Sequence, residues 1–183
     1  LQLVDLGTGS GAIALSLATE LPAIDVRAVE VSPAAAEWAE RNIAACRPAL
    51  AESGSTVTLL RADAMDALEA GLITGPVDLV VANPPYIPDG AVPRDPEVRD
   101  HDPARALFGG PDGLDVVRQW VEVAANVLRP GGGFLLEHGD EQGDAGSAAS
   151  VPELLRRDTR WSRIRDYPDL TGRPRVTSAT RRS

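Results

Sequence analysis

The chain has 183 residues, 43% of them hydrophobic and 25% charged, which supports one globular domain with a sizeable core and excludes a disordered chain. The net charge is −9, which argues against a non-specific nucleic-acid binder. No run approaches ~18 apolar residues and no basic stretch precedes an apolar one, so neither a membrane span nor a signal peptide is expected and a cytoplasmic location is the default.

Residues 1–6 read as a buried strand that the chain enters at once, without an initiator Met; Met65 is the single Met. Upstream sequence is therefore expected. Gly7-Thr8-Gly9-Ser10-Gly11 reads as a tight loop, residues 12–20 as a helix, and residues 25–31 as a second strand. Ser32-Pro33 fits a helix N-cap followed by Pro at the first helical position, and the helix should run to about residue 45. Residues 56–62 and 77–82 read as the third and fourth strands. Residues 87–113 are rich in Pro and Gly with little periodicity, so a long loop is expected, and a loop of that length is usually functional. It is read as mobile and substrate-facing. Residues 114–128 have Val117, Val121, Ala124, Ala125 and Leu128 on one helical face. Residues 134–137 read as a fifth strand and 139–150 as a flexible, Gly/Ala/Ser-rich connection. A short helix at 151–157 and weaker strands at 161–166 and 175–180 complete the pattern.

Strands alternating with helices imply an α/β fold with a parallel sheet covered on both faces, and the last two strands, lacking a long crossover, imply an antiparallel edge. Residues 1–150 carry nine Arg and 23 acids, whereas 151–183 carry nine Arg and four acids. The basic tail is either a solvated edge strand and helix face or a docking surface for an RNA-rich partner. Cys46 is the single Cys, so no intrachain disulfide forms. With two His, zinc coordination is not expected, and His138 is read as structural.

Three strand ends carry the chemistry. A strand, a Gly-x-Gly-x-Gly loop and a helix bring backbone close to a ligand. An acid at the next strand end, Glu30, is placed to bind ribose hydroxyls. The same glycines also satisfy a loose dinucleotide pattern. Asp63, ending the third strand, can accept from an exocyclic amine or cap the following helix, and the two roles are compatible. Asn83-Pro84-Pro85-Tyr86 ends the fourth strand. Its prolines stiffen the loop and donate no hydrogen bonds, so its carbonyls are expected to face outward unpaired. The Asn83 side-chain oxygen and the Pro84 carbonyl could accept both protons of a planar NH2 group beside the Tyr86 ring. That arrangement suits methyl transfer to an amide or amino nitrogen.

Val4-Asp5-Leu6-Gly7-Thr8-Gly9-Ser10-Gly11, Asn83-Pro84-Pro85-Tyr86, Asp102-Pro103-x-x-Ala106-Leu107-x-Gly109-Gly110-x-x-Gly113-Leu114 and Glu137-His138-Gly139-x-x-Gln142 occur in this order. Over residues 1–143 the chain resembles the HemK/PrmC family of release-factor glutamine methyltransferases. The resemblance implies a class I, Rossmann-like methyltransferase fold with a mostly parallel seven-stranded sheet and an antiparallel edge strand. It implies S-adenosylmethionine as cofactor, held by Asp5, Gly7, Thr8, Gly9, Ser10, Gly11, Glu30, Asp63, Ala64 and Asn83. Asn83, Pro84 and Tyr86 would be catalytic, and Asn83, Pro84, Pro85 and Tyr86 would hold the glutamine of a release factor's Gly-Gly-Gln loop. No metal, direct nucleic-acid contact or membrane contact is implied. Glu30 replaces the more usual Asp, and Ala64 offers no aromatic face, so Met65 or a neighbour would cover the adenine. Residues 1–183 would be the catalytic domain, without the family's upstream helical domain.

Three alternatives share some of these features. A ribosomal-protein glutamine methyltransferase would keep Asn-Pro-Pro-Tyr. An adenine-N6 nucleic-acid methyltransferase would need a basic groove, which the acidic segment 1–150 does not offer. A non-catalytic S-adenosylmethionine-binding module would have no use for the Asn83 loop.

Overall fold

The computed structural model describes residues 1–93, 95–143 and 150–183. The chain order is β1 (Gln2–Leu6), α1 (Ala12–Glu20), β2 (Asp25–Glu30), α2 (Pro33–Ala45), α3 (Arg47–Ser53), β3 (Thr56–Arg61), α4 (Ala64–Glu69) and β4 (Val77–Ala82). Then follow α5 (Pro96–His101), α6 (Ala104–Leu107), α7 (Asp115–Val127), β5 (Leu128–Glu137), a 3-10 turn (Asp140–Gln142), α8 (Val151–Arg157), β6 (Trp161–Pro168) and β7 (Pro174–Arg181). One seven-stranded sheet runs β3-β2-β1-β4-β5-β7-β6. β1 to β5 are parallel, and β7 is antiparallel to both of its neighbours. The antiparallel strand thus lies one place in from the edge, and β6, with Arg163 and Arg165 exposed, is the edge itself.

The period-2 alternation of β1 divides the apolar residues between two faces. Leu3 joins Leu15, Ile24, Val26 and Leu50 under α1 and α3. Val4 and Leu6 join a larger core with Val80, Trp120, Phe134 and Trp161 under α4, α7 and α8. Phe134 and Trp161 stack at 5.4 Å, which ties the parallel half of the sheet to the β6–β7 hairpin.

Ser32 caps α2 as expected: its Oγ accepts from the Ala35 N–H, and Pro33 occupies the first turn. Several expectations need correction. α3 has no counterpart in the sequence reading, because the break from α2 is the single residue Cys46 and Pro48 fits the first turn of the new helix. β5 starts at Leu128, earlier than expected, because Pro130 and its glycines continue the strand across a register shift against β4. Segment 87–113 is not a structureless loop. Pro96 starts α5, α6 follows, and Ile87 and Gly109 exchange backbone hydrogen bonds with the segment they face: Ile87 N–H donates to Leu107 and Gly109 N–H to Ile87. The mobility expected for it, and the flexibility expected of 139–150, are not settled by this; residues 94 and 144–149 lie outside the described residues. α7 buries Trp120, Val123 and Val127 in addition to the anticipated stripe, because the sheet and α4 pack on two sides of it.

Candidate active site

The strand order reverses between β1 and β4, and the crevice at such a switch point is where α/β sheets bind ligands. The register pairs Leu6 with Ala82, so the loops that follow, starting at Gly7 and Asn83, leave the sheet side by side. Gly7 has φ 65°, and a Cβ there would lie 2.3 Å from the Trp120 ring. The helix packed beneath the sheet thereby fixes the loop's first residue. Gly7→Ala is expected to destabilise the fold by about 2–4 kcal/mol, from left-handed strain plus overpacking. Urea unfolding measures it, and an unchanged midpoint would contradict the role of this contact.

Two carboxylates lie behind the loop. Asp5 is 1% exposed. Its Oδ2 accepts from Thr8 Oγ1 (2.6 Å) and the Ala14 N–H (3.1 Å), while Oδ1 has no hydrogen-bond partner. Burial, offset in part by those two hydrogen bonds and reinforced by the charge of Glu30, pushes the Asp5 carboxyl up to about 6 from 3.8. Its folded-state value is thus above the unfolded one. The stability associated with the neutral acid is fully present below about pH 4 and is lost as pH rises through about 6, a difference of about 2–3 kcal/mol. Asp5→Asn should flatten that part of the profile. Chemical denaturation of both proteins from pH 4 to 7 tests it, and parallel profiles would refute the assignment.

Glu30 is 7% exposed. Its Oε2 accepts from the Gly9 N–H (2.8 Å) and its Oε1 from the Ser32 N–H (2.7 Å). The Gly9 N–H that a dinucleotide's pyrophosphate would use is therefore engaged by an anion. Each carboxylate oxygen retains lone-pair capacity for further donors such as hydroxyls.

Across the crevice, Pro84 is buried and Asn83 is exposed. Among the described residues, neither the Asn83 side chain nor the Pro84 carbonyl has a hydrogen-bond partner. The expectation of unpaired carbonyls holds for Pro84 and Pro85 among the described residues but not for Tyr86. The Tyr86 carbonyl accepts from Gln142 Nε2 at 2.9 Å, and a Cβ on Gly109 would lie 2.5 Å from the Pro85 oxygen. The Tyr86 hydroxyl accepts from Arg175 Nη1 (3.4 Å). Burial is the main cause that raises the phenol's pKa, and burial likewise raises that of Glu137.

A cleft of about 430 Å³ joins the two loops. Gly7, Thr8, Gly9 and Ser10 form one wall, and Asn83, Pro84 and Tyr86 the other. The structure thus brings seven of the sequence-assigned residues into one cavity. Pro85, Asp5, Gly11 and Glu30 do not line it; the last three support the glycine loop from behind. Asp63 caps α4, its Oδ1 accepting from the Met65 N–H at 2.9 Å, and Ala64 is 4% exposed within the larger core. Neither lines the cleft. Val98, Asp102, Ala106 and Leu107, from the segment read as substrate-facing, close the cleft from α5, α6 and the turn between them; neither they nor Ala12 and Ile13 were singled out as site residues. His138 lies outside the cleft. It is fully buried, with Nε2 at 3.0 Å from Thr177 Oγ1 and 3.2 Å from Asp166 Oδ1, and serves the sheet.

The model of the methyltransferase small domain family matches residues 1–95. The chain belongs to this family. It is 49% identical to the release factor glutamine methyltransferase of Mycolicibacterium smegmatis over 98% of its own length and 58% of that relative's. It is also 43% identical to a 4-amino-L-phenylalanine/4-methylamino-L-phenylalanine methyltransferase of Streptomyces pristinaespiralis, over 91% of this chain and 51% of that one. The chain thus spans somewhat more than half the length of these relatives. Among solved structures, TrmN from Thermus thermophilus superposes with a TM-score of 0.62 at 21% identity, covering 99% of this chain and 44% of that one. A methyltransferase from Pyrococcus furiosus gives 0.60 at 20% identity, covering 99% and 74%. Likenesses at that identity establish the fold.

Family and fold imply S-adenosylmethionine as methyl donor. The residues of this methyltransferase domain fit it. Among the described residues, the cleft lining contains no cationic side chain to meet a pyrophosphate, and its one charged residue is Asp102. Asp5, with an orphaned buried oxygen, and Glu30 make the glycine-loop side of the site negative. A Cβ at Gly9 would meet no atom within 4 Å, so the loop leaves open space for a ligand there. A cationic sulfonium and ammonium suit that environment better than a dianion.

Proposed function

We propose that residues 1–183 are the catalytic domain of an S-adenosylmethionine-dependent enzyme that methylates the side-chain amide nitrogen of the glutamine in the Gly-Gly-Gln loop of peptide chain release factors. The whole protein would carry an upstream helical domain that grips the substrate. The observation that carries the reading is the single cleft in which an exposed Asn83 amide and an unpaired Pro84 carbonyl face the glycine loop. The similarity to release factor glutamine methyltransferases at 46–49% identity supports the choice of acceptor.

S-adenosylmethionine, when bound, supplies an electrophilic methyl group on a sulfonium. The glutamine amide is a weak nucleophile, because its lone pair is delocalised into the carbonyl. Asn83 Oδ1 and the Pro84 carbonyl oxygen are two acceptors for its two protons. Accepting both returns electron density to nitrogen and fixes the direction in which the lone pair points. Orientation of this kind contributes several orders of magnitude. The surplus N–H proton of the methylated amide would leave to solvent at the exposed Asn83 side. The Tyr86 ring would close the flank of the amide plane, its hydroxyl anchored by Arg175.

The test offers labelled cofactor to the whole protein with a release factor, with its Gln→Ala variant, with 4-amino-L-phenylalanine and with DNA. Label on the release factor alone is expected. Equal label on the Gln→Ala variant, or preferential label on the amine or on DNA, would overturn the acceptor assignment.

A further inference from the structure

We infer that Gln142 is a positioning residue for the acceptor loop: its carboxamide locks the Tyr86 carbonyl and so sets the direction of the Asn83 and Pro84 acceptors. The inference rests on the methyl-transfer reading above and adds to it a residue outside the cleft.

Gln142 is 6% exposed and sits on the 3-10 turn after β5. Its Nε2 donates to the Tyr86 carbonyl at 2.9 Å and, over longer distances, to the carbonyls of Gly113 (3.4 Å) and Asp112 (3.5 Å). Its Oε1 accepts from the Gly139 N–H at 3.0 Å. A carboxamide supplies two donor protons and an acceptor, and this site uses both functions. A carboxylate at the same place would set an anion against the Tyr86 and Gly113 carbonyl oxygens. An apolar side chain would leave those groups unpaired in a buried place, a costly state.

The surrounding backbone is shaped for this amide. Gly113 has φ 74°, and a Cβ on it would lie 2.2 Å from the Tyr86 oxygen and 2.7 Å from Gln142 Nε2. A Cβ on Gly109 would lie 2.5 Å from the Pro85 oxygen, and one on Gly139 3.3 Å from Gln142 Oε1. The carbonyls of Pro85 and Tyr86 are therefore held against protein on the side away from the cleft. With those two peptide units fixed behind, and both prolines fixing their own φ, little freedom remains for Asn83 and Pro84, which do line the cleft. Gln142 thus connects the turn after β5 to the acceptor loop after β4.

Two variants of the whole protein separate positioning from general stability. Gln142→Met keeps the volume and removes the polar contacts; Gln142→Glu keeps an acceptor for Gly139 and removes the donors. In both, single-turnover transfer to the release factor is expected to fall about 100-fold, while S-adenosylmethionine affinity stays within about twofold, the pattern of a misplaced acceptor. Amide exchange should accelerate at Ile87, Gly109 and Asp115, whose N–H groups bond Leu107, Ile87 and Gly109 beside this carboxamide. Wild-type transfer in either variant overturns the inference. So does a matched loss of transfer, cofactor affinity and unfolding midpoint, which marks a purely structural residue. If the wild-type protein itself does not methylate a release factor, the acceptor assignment fails. Gln142 is then judged by exchange and cofactor binding alone, and unchanged exchange at those three amides removes its role.

Discussion

Asn83→Ala is expected to reduce methyl transfer by at least about 100-fold while cofactor affinity changes little. The side chain is exposed, lines the cleft and has no hydrogen-bond partner among the described residues, so its removal costs the fold almost nothing. On the proposed reading it removes one of two acceptors for the amide protons, and with it the aim of the nitrogen lone pair. The neighbouring prolines keep the backbone in place, so the Pro84 carbonyl survives the substitution. Single-turnover transfer measured beside equilibrium binding separates the two effects. Full transfer by the variant would exclude the role given to Asn83.

Glu30→Ala is expected to act on the other half of the cleft and to weaken S-adenosylmethionine binding by about 1–3 kcal/mol, or about 5- to 150-fold. Besides the ribose hydroxyls it would meet on the proposed reading, the carboxylate accepts from the Gly9 and Ser32 N–H groups, so its loss leaves two backbone donors of the glycine-loop side unpaired. Glu30→Gln retains one acceptor and should fall between wild type and Ala. Calorimetry with both S-adenosylmethionine and NAD reads the result. Tighter binding of NAD by the wild-type protein would sink the cofactor assignment altogether, because the Gly9 N–H that a pyrophosphate would use is already engaged by Glu30.

Much of this was legible locally. Hydrophobic alternation marks β1 to β4, Ser32-Pro33 marks the start of α2, and Gly7 to Gly11 and Asn83 to Tyr86 mark the two strand ends that form the cleft. Each of these signals is written within a few consecutive residues, as a period, a cap or a φ preference. The short helices α5 and α6 were not legible. Each is too brief to show a helical period, and their prolines also read as loop residues. The segment was read as substrate-facing, but which of its side chains roof the cleft was missed for the same reason.

The sequence alone determined the α/β alternation, the order of the loops and the chemical groups at their tips. Only the tertiary structure decided how those groups are held: Glu30 on Gly9, 21 residues apart, Gln142 on Tyr86, 56 apart, and Trp120 against Gly7. These pairings depend on strand register, on the packing of α7 and on rotamers fixed by neighbours from other elements. No short window of residues encodes them, because each arises when separate strands are brought to the same end of one sheet.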